Sequence, residues 1–294
     1  MTSVVVAGGA SWNRMVRVER FPEAVAATVH PTGFHDAIGS AGAGKALNLA
    51  RLGVAVTLIA GIGDDLAGSR VREGLVDGGV RLLDAVDAGG TAEHLNLMDP
   101  SGARISLLLR NGSADLAFDA DAVATAMAAA DVVVVDLAPW TPRILPIAHA
   151  TGRPVWTDLH DYDDASDWHR AFIEAADVVF ASADRLEDPA AFLAAMVERG
   201  KRFSVVTLGR DGAIAMDVSG RRYEVPAISG TIVVDANGAG DAFFAGTLFG
   251  MLDGLPLERA LRFGSIAGGL AVGSTELASP SLSADRLRAI ADAS

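Results

Sequence analysis

The feature that most limits how this chain can fold is a series of short apolar runs, each closed by glycine, aspartate or serine. Val4-Val5-Val6 stops before Gly8-Gly9, Val56-Thr57-Leu58-Ile59 before Gly61, and Val132–Val135 before Asp136. Val155-Trp156-Thr157, Val178-Val179-Phe180 and Val205-Val206-Thr207 end likewise near Asp158, Ser182 and Gly209. These runs are too short for helices and lack a period of two, so they read as strands buried on both faces. Helical stretches lie between them, at Lys45–Leu52, Ala67–Asp77, Asp121–Ala129, Pro189–Arg199 and Asp241–Leu252. Such alternation predicts a parallel sheet with helices on both sides, whose ligands gather beyond the carboxyl ends of the strands.

Two segments break the rhythm. Arg14–Ile38 and Ala92–Arg110 contain alternating runs such as Val16-Arg17-Val18-Glu19 and Arg104-Ile105-Ser106-Leu107, with a turn at Asp99-Pro100-Ser101-Gly102. That pattern suits half-exposed antiparallel strands, and it predicts one small sheet set apart from the main domain. A length of 294 residues accommodates one large α/β domain with such an appendage.

The net charge of −13 disfavours nucleic acid and anionic membrane as partners. With no cysteine, thiolate chemistry and cysteine-ligated metal sites are excluded. The first residues carry no basic start, and the longest apolar runs, such as Ala242–Leu252, fall short of the roughly 20 residues that cross a bilayer. A soluble, cytoplasmic protein is the expectation.

The strongest chemical signal is Asp235-Ala236-Asn237-Gly238-Ala239-Gly240-Asp241, which runs straight into a helix. Small residues let the backbone turn sharply and leave the N–H groups of Ala239, Gly240 and Asp241 free at a helix start, where dipole and donors favour an anion such as phosphate. Asp241 beside them is placed to accept a proton from an attacking hydroxyl. The plainer reading of the same residues is an N-cap aspartate after a glycine loop.

Together with three further segments, this motif resembles the signature of the ribokinase-like, or PfkB, family of carbohydrate and nucleoside kinases. Gly61-Ile62-Gly63-Asp64-Asp65-Leu66-Ala67-Gly68 is similar to the family's G-x-x-G-x-D-x-x-G, Ala50-Arg51-Leu52-Gly53 to the end of its first signature, and Thr207-Leu208-Gly209-Arg210-Asp211-Gly212 to its nucleotide-phosphate turn. The resemblance spans nearly the whole chain. It implies a ribokinase-like three-layer α/β/α domain (1–13, 39–91 and 111–294) with a mainly parallel sheet, and a β lid (14–38 and 92–110) over the acceptor. It implies transfer of the γ-phosphoryl group of ATP, with Mg2+, to a hydroxyl of a small carbohydrate-like acceptor. Asp241 would be the base and Gly238, Ala239 and Gly240 the anion hole. Thr207, Gly209, Gly212 and Gly240 would serve the nucleotide, with Ile266–Gly273 near the adenine, and Asp235 would hold a monovalent cation such as K+. Asn13, Gly39, Ser40, Gly44 and Asp241 fall at the acceptor positions, and an exposed lid edge favours a homodimer.

Departures from the pattern bear on substrate and metal. Asn13 stands where an aspartate commonly holds acceptor hydroxyls, and Gly44 where an asparagine is usual. Ser182-Ala183-Asp184-Arg185 replaces N-x-x-E, leaving Asp184 or Glu187 to organise magnesium, and Asp158-Leu159-His160 departs from D-x-N. These changes keep open a nucleoside acceptor, or a degenerate member that binds a metabolite without phosphorylating it. The lack of a basic cluster at the acceptor positions, with only Arg14 and Lys45 adjacent, disfavours an acceptor already phosphorylated.

Gly39-Ser40-Ala41-Gly42-Ala43-Gly44-Lys45-Ala46 is one residue from a P-loop, with Val132–Val135 before Asp136 as its apparent magnesium strand. It fails at Ala46, where a hydroxyl is needed, and Gly33–Ile38 is a poor buried strand. His30, His35, His149 and His169 show no metal-ligand spacing. His160 lies at a strand end facing the expected cleft, which leaves acceptor contact and loop hydrogen bonding both open, and Trp12 reads either as a pocket wall or as core.

Overall fold

The computed structural model describes residues 2–228, 230 and 233–293. Its strands are β1 (Ser3–Ala7), β2 (Ser11–Arg17), β3 (Gly33–Gly39), β4 (Ala55–Ile62), β5 (Arg81–Val86), β6 (Ala92–Met98), β7 (Arg104–Arg110), β8 (Val132–Val135), β9 (Val155–Asp158), β10 (Val178–Ser182), β11 (Phe203–Thr207), β12 (Ala213–Asp217) and β13 (Arg222–Val225). The α-helices are α1 (Ala41–Arg51), α2 (Leu66–Asp77), α3 (Ala120–Ala129), α4 (Leu145–Ala150), α5 (Asp167–Ala175), α6 (Pro189–Glu198), α7 (Ala239–Leu252), α8 (Leu257–Val272) and α9 (Ala284–Ala293).

Nine strands form one sheet in the order β13-β12-β11-β10-β9-β8-β1-β4-β5. From β11 to β5 every neighbouring pair is parallel, and β12 and β13 add an antiparallel ribbon at one edge. Because successive side chains of a strand point to opposite faces, Val4 and Val6 of β1 join the core under α1, α2, α7 and α8, whereas Val5 and Ala7 join the core under α3 to α6. The three-layer α/β/α architecture implied by the resemblance is therefore present. Each apolar run of the sequence lies in a central strand of this sheet.

A separate four-stranded sheet has the order β3-β2-β6-β7. The β2–β3 and β6–β7 pairs are antiparallel, and β2 pairs with β6 in parallel. Its two hairpins leave the main domain at different points of the chain, between β1 and α1 and between β5 and α3. By register, Asn13, Met15, Arg17, His35, His94, Asn96, Ser106 and Arg104 share one face, and Val16, Phe34, Leu95, Leu97, Ile105 and Leu107 share the other. On the first face Asn13, Met15 and Asn96 are buried, and on the second Phe34, Ile105 and Leu107 are exposed.

Candidate active site

The chain leaves β1 to build β4 and β5 on one side and returns to build β8 to β11 on the other, so the strand order reverses between β1 and β8. Ligands of open α/β sheets settle beyond the carboxyl ends at such a point. Here Asp136 follows β8 immediately, Asp158 ends β9, and His160 lies two residues further on, with its backbone at φ 53°.

Lys45 projects into this junction from α1, its side chain wholly buried. Its Nζ donates to Asp241 Oδ1 at 2.7 Å and to Asp136 Oδ2 at 3.0 Å, and lies 3.1 Å from Asp158 Oδ2. The other oxygen of Asp136 meets His160 Nε2 at 2.8 Å. The Phe244 ring, 5.1 Å from Nζ, floors the cluster and packs with Trp156 and Phe180 beneath. A buried charge is tolerated only when paired, and here three carboxylates share two cations.

Burial acts to lower the Lys45 ammonium, but the charges of Asp136, Asp241 and Asp158 override it and hold it well above the ordinary lysine value. Burial likewise works against the His160 imidazolium, and Asp158 and Asp136 lift it to about 9, so it is charged at neutral pH. For Asp136 and Asp158 burial is outweighed by Lys45 and His160, and both carboxyls lie below the usual range. Asp241 alone goes the other way: burial raises it, and Lys45 and His160 offset this only in part. Of the three carboxylates it has the greatest affinity for a proton, as a general base requires.

Asp241 sits in the first turn of α7, whose N-cap Gly238 adopts the left-handed conformation, φ 77°. The N–H groups of Gly240 and Asp241 have no hydrogen-bond partner among the described residues, whereas the Ala239 N–H turns back to the Ala236 carbonyl at 3.4 Å. The nest of free donors is thus narrower than the sequence suggested. Gly44 of α1 faces Asp241 so closely that a Cβ there would lie 2.6 Å from Oδ2.

Asn13 and Ser40 come together through Ser11: Ser40 Oγ donates to Ser11 Oγ at 2.9 Å, and Ser11 Oγ to Asn13 Oδ1 at 2.7 Å. The Asn13 amide lies against Gly39, where a Cβ would fall 1.9 Å from its nitrogen. Thr207 ends β11, and Gly209 and Gly212 lie in the turn to β12, closed by Leu208 N–H to the Gly212 carbonyl at 2.8 Å, at the carboxyl end of the parallel strands. In α8, Ile266, Ala267 and Ala271 enter the core, and Gly268, Gly269, Leu270 and Val272 are only half-buried. Asp235 is buried, accepts from the Asn237 N–H at 2.7 Å, and is raised by that burial. Arg104 of β7 donates to Asn237 Oδ1, so the small sheet touches the loop that leads into α7.

Residues 1–284 match the pfkB family of carbohydrate kinases. The chain belongs to that family. It is 35% identical over 282 residues to the acarbose 7(IV)-phosphotransferase of an Actinoplanes species, covering 92% of each chain. It is 32% identical to the ATP-dependent ribose-1-phosphate kinase of Halopiger xanaduensis, covering 93% of each. Among solved structures, a microbiome-derived acarbose kinase superposes with a TM-score of 0.90 at 30% identity over 99% of each chain. An Arabidopsis thaliana ribokinase superposes at 0.80 over 99% of each, and at 22% identity that likeness concerns the fold. As a PfkB carbohydrate kinase the protein is a phosphotransferase acting on a hydroxyl group.

Sequence reasoning noted Lys45 only beside the acceptor positions and, with Asp136, in a rejected P-loop, and did not foresee the buried cluster that joins them to Asp241. One signal was available. Lys45 is flanked by Ala43, Ala46, Leu47 and Leu49, and a charge in so apolar a helical stretch requires buried partners.

Proposed function

We propose that this PfkB kinase transfers the γ-phosphoryl group of ATP to a hydroxyl of a carbohydrate, with Asp241 as the base. The observation that carries the reading is one turn of α7, where a part-buried carboxylate of raised proton affinity stands beside the N–H groups of Gly240 and Asp241, unpartnered among the described residues. Phosphoryl transfer asks mainly for in-line positioning and charge neutralisation. Asp241 would orient the acceptor hydroxyl and take its proton as the oxygen bonds to phosphorus, while the helix-start donors, with the Gly238–Gly240 turn, meet charge on the transferring group. The β11–β12 turn with Thr207, Gly209 and Gly212 would serve the nucleotide side.

Mg2+ carried on nucleotide phosphates needs only one or two protein carboxylates, often through water. Asp184, exposed just beyond β10, suits that duty, and Arg185, 3.2 Å from Asp163, leaves the neighbouring position positive. The ion would supply charge neutralisation between the phosphates. Asp235 suits K+, because burial of its carboxylate costs free energy that a bound cation offsets.

The small sheet is proposed as a lid, with the face bearing Asn13, His94, Asn96 and Ser106 toward the acceptor and Arg104 meeting the α7 loop. Its opposite, apolar face is proposed as the surface of a homodimer. The two acarbose kinases among the relatives make acarbose the first acceptor to try.

ADP release is measured with ATP and Mg2+ over acarbose, fructoselysine, monosaccharides, ribose 1-phosphate and nucleosides. Acceptor-dependent turnover is expected, and Asp241→Asn should lower kcat by at least about 100-fold, the usual scale of a lost general base. A native protein silent across the panel yet thermally stabilised by one of its compounds would replace this reading with that of a binding protein.

A further inference from the structure

We propose that Lys45 is the positioning residue of the catalytic carboxylate: its buried ammonium, fixed by Asp136 and Asp158, pins Asp241 and supplies at this junction the fixed positive charge that keeps it a carboxylate. The inference rests on the reading of Asp241 as base, and it deepens that reading.

The geometry is that of a cage built around Nζ. Three carboxylate oxygens lie 2.7, 3.0 and 3.1 Å from it, from the first turn of α7, the residue after β8 and the end of β9. Two of the ammonium's three N–H donors bond Asp241 and Asp136, and Asp158 lies within ion-pair distance of it. With its side chain wholly buried among these groups, Lys45 does not reach substrate. Its chain is gripped from below by the Phe244 ring, and Asp136 is gripped from its far side by His160. Asp241 itself is held between this ammonium and Gly44, whose missing side chain leaves room for Oδ2.

The charged groups that face Asp241 at this junction are Lys45 on α1, Asp136 after β8, and Asp158 and His160 at the end of β9. Without Lys45 the sum at the junction would be three carboxylates against one imidazolium. A proton would then settle in the cluster at neutral pH, and the acceptor hydroxyl would meet a protonated or displaced Asp241. A merely structural lysine would tie α1 to α7 without setting the proton affinity of Asp241. That difference can be measured.

Asp241 is titrated by NMR in protein labelled with 13Cγ-aspartate, its signal assigned by its loss in Asp241→Asn. Lys45→Met is expected to raise the Asp241 midpoint by about one to three pH units, the scale of losing an opposite charge at this distance. The acid limb of kcat with ATP and acarbose, or with whichever panel compound turns over fastest, should shift equally, with acceptor KM little changed. In Lys45→Ala, propylammonium, which replaces the atoms removed, should restore kcat at least ten-fold and return the midpoint. An unmoved midpoint, or a loss of kcat equal at every pH with no rescue, overturns the inference. Should Lys45→Met fail to fold, His160→Gln decides: it removes the charge beyond Asp136 and is expected to lift the midpoint by a smaller step, and no lift overturns the proposal. Full turnover in Asp241→Asn would instead sink the base reading, a separate failure that the titration does not mimic.

Discussion

At Gly44 a single methyl group separates helix propensity from chemistry. Glycine inside a helix ordinarily costs about 1 kcal/mol relative to alanine, so Gly44→Ala would stabilise α1 at an open position. Here the added Cβ would fall 2.6 Å from Asp241 Oδ2, and that carboxylate is already held from another side by Lys45. The expected outcome is stability within about 1 kcal/mol of native, propensity offsetting strain, with kcat lowered more than ten-fold. Denaturant unfolding beside steady-state turnover checks both halves. The same junction shows what a sequence can carry at this scale. Asp241 was legible because its neighbours in the chain announce a helix start, whereas Lys45 finds its partners 91 and 196 residues away. His160 was left open between acceptor and loop, and its Nε2 meets Asp136, a residue 24 positions away in the chain, at 2.8 Å.

Elements were legible in proportion to their burial. The central strands announced themselves as apolar runs, but β5 and β13 did not, because edge positions leave them half-exposed and their composition mixed. Asp65, a weak glycine-motif residue in the sequence, proves to cap α2 through the Gly68 N–H at 2.7 Å and to accept from the hydroxyl and N–H of Thr91, at the entry to β6. Arg110 at the end of β7 reaches the same carboxylate at 3.3 Å. One loop thus fixes a helix start and both strands of a hairpin. At the far end of that hairpin Arg104 meets Asn237, and this contact is exposed, so it contributes little to stability. Arg104→Ala should leave the melting temperature near native, raise acceptor KM several-fold and increase ATP hydrolysis relative to transfer. Parallel assays of ADP release and phosphorylated acceptor check this, and an unchanged ratio would show that the contact does not help the sheet exclude water.

For the whole molecule, the outer face of the small sheet is the surface most at odds with a soluble monomer. Phe34, Ile105 and Leu107 are 67%, 40% and 48% exposed on one face of a sheet whose edge strand β7 is open along its length. Contiguous apolar surface beside a strand whose outer side is unpaired favours a second copy. Sedimentation velocity at micromolar concentration should give a dimer, and Leu107→Lys a monomer; a native monomer would remove the proposal. Strand order and the parallel β2–β6 pairing were beyond reach of the sequence, since neither is a local property. That pairing joins Ser11 to Ala92 across β4, α2 and β5. The chain accordingly passes between the two sheets four times, and one passage runs from Gly39 through Ser40 into α1, the helix that carries Gly44 and Lys45. The small sheet is therefore no detachable cassette: no single deletion removes it without β4 and β5, and no single insertion could have added it to a simpler ancestor.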